Sequence, residues 1–156
     1  MSKKVLHQSV LGNFHGVLFP HFHRSEHRLF ISPFDVYLPN CETSIQPDLC
    51  VCDAESLDKN GCDGAPIFII EVLTGLAGKG SKEITQTNYN LYQKAGVREY
   101  WIVFSLYRFI MQFVLNDDGC YQLKGIYAED GVITPFLFPE LEVDLADIFE
   151  FCDDDD

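Results

Sequence analysis

Gln46-Pro47-Asp48-Leu49-Cys50-Val51-Cys52 and Ile67-Phe68-Ile69-Ile70-Glu71-Val72-Leu73 decide how this chain folds. Both runs read as strands, and the second is nearly continuous apolar sequence, the signature of a strand buried on both faces. Between them lies Asp58-Lys59-Asn60-Gly61-Cys62-Asp63-Gly64, rich in turn formers. A hairpin-like return would place the two strands antiparallel and adjacent. Each strand carries one misplaced charge, Asp48 in the first and Glu71 in the second. A carboxylate in an apolar strand is costly unless it is paired, protonated or bound to a metal. Two on adjacent strands can hold a hard divalent cation through oxygen ligands. The alternative is that each pairs with a buried Arg or Lys.

Downstream, residues 81–95 predict a helix with Ser81 as N-cap and Gly96 just past its end. At 100° per residue Ser81, Ile84, Thr85, Asn88, Leu91, Tyr92 and Ala95 share one face, and Lys82 falls well off it. Glu99 to Phe104 returns as a strand, so strand, helix and strand form a crossover between parallel strands. Upstream, apolar residues from Val5 to Phe19 recur at helical spacing, and Pro20 is expected to stop that helix. The segment His21 to His27 then reads as a connector. Its three histidines suggest a metal site but lack a carboxylate-rich partner. Arg28 to Leu38 reads as strand broken at Ser32-Pro33, with Asp35 either an edge carboxylate or a support for Asp48. From Arg108 onward the pattern is a meander of antiparallel strands, followed by Phe136 to Pro139 covering an end of the sheet and a last helix capped by Asp144.

The 156 residues suffice for one domain with a core, expected over residues 1–152, and Asp153 to Asp156 read as an acidic disordered tail. Net charge is −13, about −9 without that tail, so any nucleic-acid partner requires a locally basic face. Lys79, Lys82, Lys94 and Arg98 are the cluster nearest the acidic pair in sequence. No apolar run reaches the roughly 20 residues of a membrane helix. The first residues hold no long apolar stretch of a signal peptide, so a cytoplasmic location is expected. Six cysteines without a C-x-x-C pair read as reduced, mostly buried thiols.

A resemblance adds to this reading. Gln46-Pro47-Asp48-Leu49, Gly64-Ala65-Pro66, Ile70-Glu71-Val72-Leu73 and the string Leu91-Tyr92-Gln93-Lys94-Ala95-Gly96-Val97-Arg98-Glu99-Tyr100-Trp101-Ile102-Val103 look like the bacterial Uma-two (Uma2) family. That family is restriction-endonuclease-like and belongs to the PD-(D/E)XK nuclease superfamily. Ser32 to Val36, Phe138 to Leu141 and Asp144-Leu145 extend the match over nearly the whole chain. The resemblance implies an α/β fold, a mixed central β-sheet flanked by helices with antiparallel C-terminal strands. It implies Mg²⁺- or Mn²⁺-dependent phosphodiester hydrolysis with DNA as partner, and a homodimer as an assembly to test. Asp48 and Glu71 match the family's acids and would bind the metal, with the backbone carbonyl of Val72 as a further ligand. The superfamily's lysine is missing, since Leu73 holds its place. The family's helix lysine matches Asn88, leaving Lys79 or Lys82 as substitutes. Set against the family pattern, the chain is expected to lack the family's N-terminal hairpin, a source of another acid, and to start near the helix carrying His7-Gln8. Two functions follow: an endonuclease of full or weak activity, or an inactive nuclease fold that binds nucleic acid or a protein.

Overall fold

The computed structural model describes residues 2–75, 81–128 and 130–150, those at 81–84 by backbone alone. In chain order the elements are α1 (Lys3–Phe22), β1 (His27–Ile31), β2 (Val36–Leu38), β3 (Thr43–Ile45), β4 (Leu49–Asp53), β5 (Leu57–Asp58), β6 (Gly61–Asp63) and β7 (Phe68–Leu73). There follow α2 (Ser81–Ala95), β8 (Glu99–Phe104), β9 (Phe109–Leu115), β10 (Tyr121–Ala128), β11 (Val132–Ile133), β12 (Val143–Asp144) and α3 (Leu145–Phe149). The main sheet runs β1-β4-β7-β8-β9-β10. Only its β7–β8 pair is parallel, joined through α2 as the sequence pattern predicts; the other pairs are antiparallel. This is the mixed sheet with antiparallel C-terminal strands expected above.

Because strand side chains alternate, the central strands feed two cores. One face carries Leu49, Val51, Phe68, Ile70, Val72, Trp101 and Val103, and α1 and α3 cover it with Leu6, Val10, Phe14, Leu18, Leu145 and Ile148. The other carries Cys50, Cys52, Ile69, Tyr100 and Ile102, covered by Tyr92 of α2 and by β2 and β6. Asp48 and Glu71 have the parity of this second face. The thiols of Cys50 and Cys52 lie 3.7 Å apart in it, buried and unbridged, as the reading of reduced cysteines expects.

Several local expectations are corrected. α1 does not stop at Pro20; it runs to Phe22, and His23 N–H closes it on the Phe19 carbonyl. Proline so near a helix end removes one bond, and burying Phe22 against Phe138, with ring centroids 4.9 Å apart, offsets that loss. His21 is therefore helical, not part of a connector. It pairs with Glu140 at 3.1 Å while His27 pairs with Asp53 at 3.3 Å and His23 packs on the Phe19 ring at 4.9 Å, so the three histidines go to separate partners. β1 and β2, expected as one interrupted strand, belong to different sheets. The turn-rich segment after β4 does return the chain antiparallel to β7, but it first builds β5 and β6 into a four-stranded sheet with β2 and β3. The expected acidic tail lies outside the described residues.

A fully buried carboxylate, Glu99, staples the fold. It is 0% exposed and accepts hydrogen bonds from Trp101 Nε1 at 2.7 Å, Gln112 Nε2 at 2.9 Å and the N–H groups of Phe136 and Leu137 at 3.1 and 3.0 Å. A buried carboxylate is tolerable when its oxygens are satisfied in this way. It ties β8 and β9 to the segment after β11.

Candidate active site

The antiparallel register of β4 and β7 pairs Leu49 with Ile70 and Val51 with Phe68. One step further places Asp48 opposite Glu71, and side chains directly opposite on an antiparallel pair share a face. The carboxylates do meet. Asp48 N–H donates to Glu71 Oε2 at 3.4 Å, and Val72 N–H donates to Asp48 Oδ2 at 2.8 Å. Both acids therefore sit where the β4 ladder ends and leaves polar backbone of β7 to be satisfied by a side chain.

Two further residues complete the contacts. Tyr92, on the sheet-facing side of α2, donates its hydroxyl to Glu71 Oε1 at 2.6 Å. His7, in the second turn of α1, places Nε2 3.2 Å from Asp48 Oδ1. Asp48 lies one residue before β4, at the end of the sheet, and there a side chain from the opposite helical layer can reach it. No Lys or Arg pairs with either acid among the described residues, so the buried-cation alternative has no support among them. Among the described residues, too, no three His, Cys, Asp or Glu side chains form a group that could hold a metal by themselves.

The electrostatics separate the two acids. Burial, then the neighbouring Asp48 charge, push the Glu71 carboxyl up to about 8; the Tyr92 hydroxyl opposes this, and the hydrogen bond shared with Asp48 adds to it. Burial also pushes Asp48 up, but the His7 hydrogen bond, the Val72 N–H and the His7 charge outweigh it and hold Asp48 below the ordinary carboxylate value. The Asp48 hydrogen bond in turn raises His7 against the effect of its own burial. The same contacts thus push the two carboxyls of the pair in opposite directions, Glu71 up and Asp48 down.

The remaining expected residues divide. Asn88 is half-buried and one turn before Tyr92 on the same face of α2, yet it makes no hydrogen bond to Asp48 or Glu71. Lys82 belongs to the first turn of α2, with its side chain outside the described residues, and Lys79 lies outside them altogether. Asp35 is exposed and accepts from Gln46 Nε2 at 2.7 Å, so it touches the residue two before Asp48 and not Asp48 itself. Lys94 and Arg98 stand at the far end of the sheet: they precede Glu99, whose partner is Phe68 at the start of β7. Sequence reasoning missed Tyr92 and His7 as contacts of the acids. Tyr92 carried one usable signal, its place on the predicted sheet-facing side.

Comparison with known proteins bears on this site. No curated protein matches the chain. A crystal structure of a "putative nuclease" from Anabaena variabilis ATCC 29413 is similar at a TM-score of 0.68 and 18% identity, covering 97% of this chain and 83% of that one. At that identity the likeness concerns the fold. The family model Uma2, described as "Putative restriction endonuclease", matches residues 1–146. With that match running through α1, both acid-bearing strands and α2, the chain belongs to the Uma2 family.

Proposed function

We propose that the chain is a divalent-metal-dependent nuclease, hydrolysing phosphodiester bonds of DNA, with Asp48 and Glu71 at its centre. The observation that carries this is their opposition across β4 and β7 without a Lys or Arg counter-ion among the described residues. The donor set fits Mg²⁺ or Mn²⁺: it is all oxygen, and it includes a carboxyl that burial and the neighbouring Asp48 charge raise, a repulsion that a cation between the two would relieve. Asp48 and Glu71 would hold the ion, with the Val72 carbonyl beside them. In an extended strand the N–H and C=O of one residue leave on the same edge, and the Val72 N–H already points to Asp48. When bound, the metal supplies Lewis-acid polarisation of the scissile phosphate and a water of lowered pKa. His7 keeps Asp48 ionised and fixes its orientation. Tyr92 fixes Glu71 through its hydroxyl, and the apolar strands on either side limit water at the pair.

A second reading is that the fold binds nucleic acid without cutting it. It is favoured by Leu73 and Asn88, which stand where the resemblance expects a lysine. Loss of a charge-stabilising donor lowers turnover by about 100- to 1,000-fold.

Thermal melts of the parent and Asp48→Asn, each with and without Mn²⁺, test the metal site. The parent should melt higher with Mn²⁺ because the ion binds the native state, and the shift should vanish in Asp48→Asn. A parent indifferent to Mn²⁺ would remove the proposal. Nicking of supercoiled plasmid with Mn²⁺ then separates the two readings. Asn88→Lys should raise nicking from whatever level the parent shows; no gain, with the metal still bound by calorimetry, would contradict the account of a lost lysine.

A further inference from the structure

α1 brings more than His7 to the end of the sheet. Its first turn carries Lys3 and Lys4, both exposed. Together with His7, Gln8 and Thr74 they line a cavity of about 360 Å³. Thr74 directly follows β7, and His7 touches Asp48, so this cavity opens beside the acid pair. Lys3 crosses from the helix to the strand end: its Nζ lies 3.7 Å from where a Cβ on Gly75 would stand. Neither lysine has a carboxylate within ion-pair distance among the described residues. On a chain of net charge −13, with His7 of the same helix touching the half-buried acid pair, two exposed lysines without a described carboxylate partner stand out.

Their position matches a chemical need. A duplex that offers a phosphodiester to Asp48 and Glu71 also brings flanking phosphates to the same end of the sheet. The acid pair and the net charge repel those phosphates, and only local cations can offset that repulsion. Lys94 and Arg98 are at the wrong end to do so.

We infer that Lys3 and Lys4 are substrate-binding residues, which receive backbone phosphates of duplex DNA in the cavity between the first turn of α1 and the end of β7. The inference rests on the nuclease reading of Asp48 and Glu71. It assigns α1 a double role: His7 acts through Asp48, and the two lysines act on the nucleic acid directly. A lysine ammonium on a flexible stem suits this, since it meets phosphate as a point charge without demanding a fixed fork geometry.

Fluorescence anisotropy of a labelled DNA duplex, titrated with the full chain in Ca²⁺ between about 50 and 200 mM salt, tests it. Lys3→Gln with Lys4→Gln should weaken binding at every sequence alike and lower the slope of log K against log salt by about 2, one unit for each lost phosphate contact. Lys3→Arg with Lys4→Arg should keep the parent slope. Lys59→Gln and Lys94→Gln, elsewhere on the chain, should leave it unchanged. The Gln variant must still show the Mn²⁺-induced rise in melting temperature, which reports the acid pair and an intact fold. A Gln variant with the parent's slope and affinity overturns the inference while leaving the nuclease reading in place. A parent that neither binds nor nicks DNA overturns both.

Discussion

Glu71 sits where burial and a like charge raise its pKa while a tyrosine hydroxyl lowers it, and the balance fixes how stability depends on pH. Its carboxyl is pushed up to about 8 in the folded chain, against about 4.3 in an unfolded one. Stability from this group is full below the unfolded value and falls as pH climbs towards 8, because the unfolded chain releases a proton that the folded chain keeps. His7, also raised, acts in the same direction from about 6.5 upward. The metal-free protein should therefore lose stability between about pH 4.5 and 8. Glu71→Gln should flatten that loss and be the more stable form at pH 9, by on the order of 1–3 kcal/mol; urea melts across pH read this directly, and a parent with a flat profile would contradict it. Tyr92→Phe should act oppositely at the same carboxyl. It removes the only described side-chain hydroxyl on Glu71 and should cost about 1–2 kcal/mol, with weaker Mn²⁺ binding in calorimetry. Equal Mn²⁺ affinity in parent and variant would show that Tyr92 has no part in the site. The acids were legible in the sequence because a charge in an apolar strand calls for an explanation. Tyr92 was half legible, since an aromatic on a sheet-facing helix side reads equally well as core. His7 was not legible as a contact: periodicity gives the buried face of a helix but not the end of the sheet at which its first turns arrive.

Among the elements, β4, β7, α2 and β8 follow the sequence closely because their signals are strong and local. Gly96 ends α2 at φ +88°, and its N–H bonds back to the Tyr92 carbonyl at 3.1 Å. Gly96→Ala should cost about 1 kcal/mol through that backbone conformation, although nothing lies within 4 Å of the added methyl. The misreadings arise where tertiary packing overrides a local rule. Pro20 stays helical because Phe22 has a partner in Phe138, a residue far away in sequence. β1 and β2 separate into two sheets because only the full topology shows that β1 pairs β4 while β2 pairs β3 and β6. Glu99 illustrates the same limit. It lies inside the most recognisable string of the chain, yet its four donors come from β8, β9 and the segment after β11. Glu99→Ala would leave these buried donors unsatisfied and should destabilise by on the order of 3–5 kcal/mol. Glu99→Gln should recover only part of that loss, since the amide keeps one acceptor oxygen and brings N–H groups against other donors. A denaturant midpoint for Glu99→Ala close to the parent's would show that β8, β9 and the late segment stay together without it.

At the scale of the molecule, charge pulls in two directions. The chain holds 24 acidic and 11 basic side chains, so the folded state repels itself and also repels a polyanion. Composition alone argued against nucleic acid, and the cations nearest the acids in sequence divide: Lys94 at the end of α2 and Arg98 just before β8 lie away from the acid pair, while α1 brings Lys3 and Lys4 towards it. Only the layering of α1 on one face and α2 on the other reveals this sorting of cations between the two ends of the sheet. Self-repulsion and local attraction respond to salt with opposite consequences. Raising ionic strength shortens the screening length from about 10 Å at 0.1 M to about 3 Å at 1 M. The spread acidic charge is then screened, and the metal-free protein at pH 8 should gain on the order of 1 kcal/mol, about 2–4 °C in melting temperature. Over the same range DNA affinity should fall steeply, because salt opposes the release of counterions from the duplex. Neutralising acidic residues far from the site, for example Asp117→Asn with Asp118→Asn in the turn before β10, should reproduce the gain in melting temperature without reproducing the loss of DNA affinity. Melting and anisotropy measured on the same salt series distinguish the two effects. If salt lowers the melting temperature of the metal-free chain, repulsion among the acids is not what limits the stability of this fold.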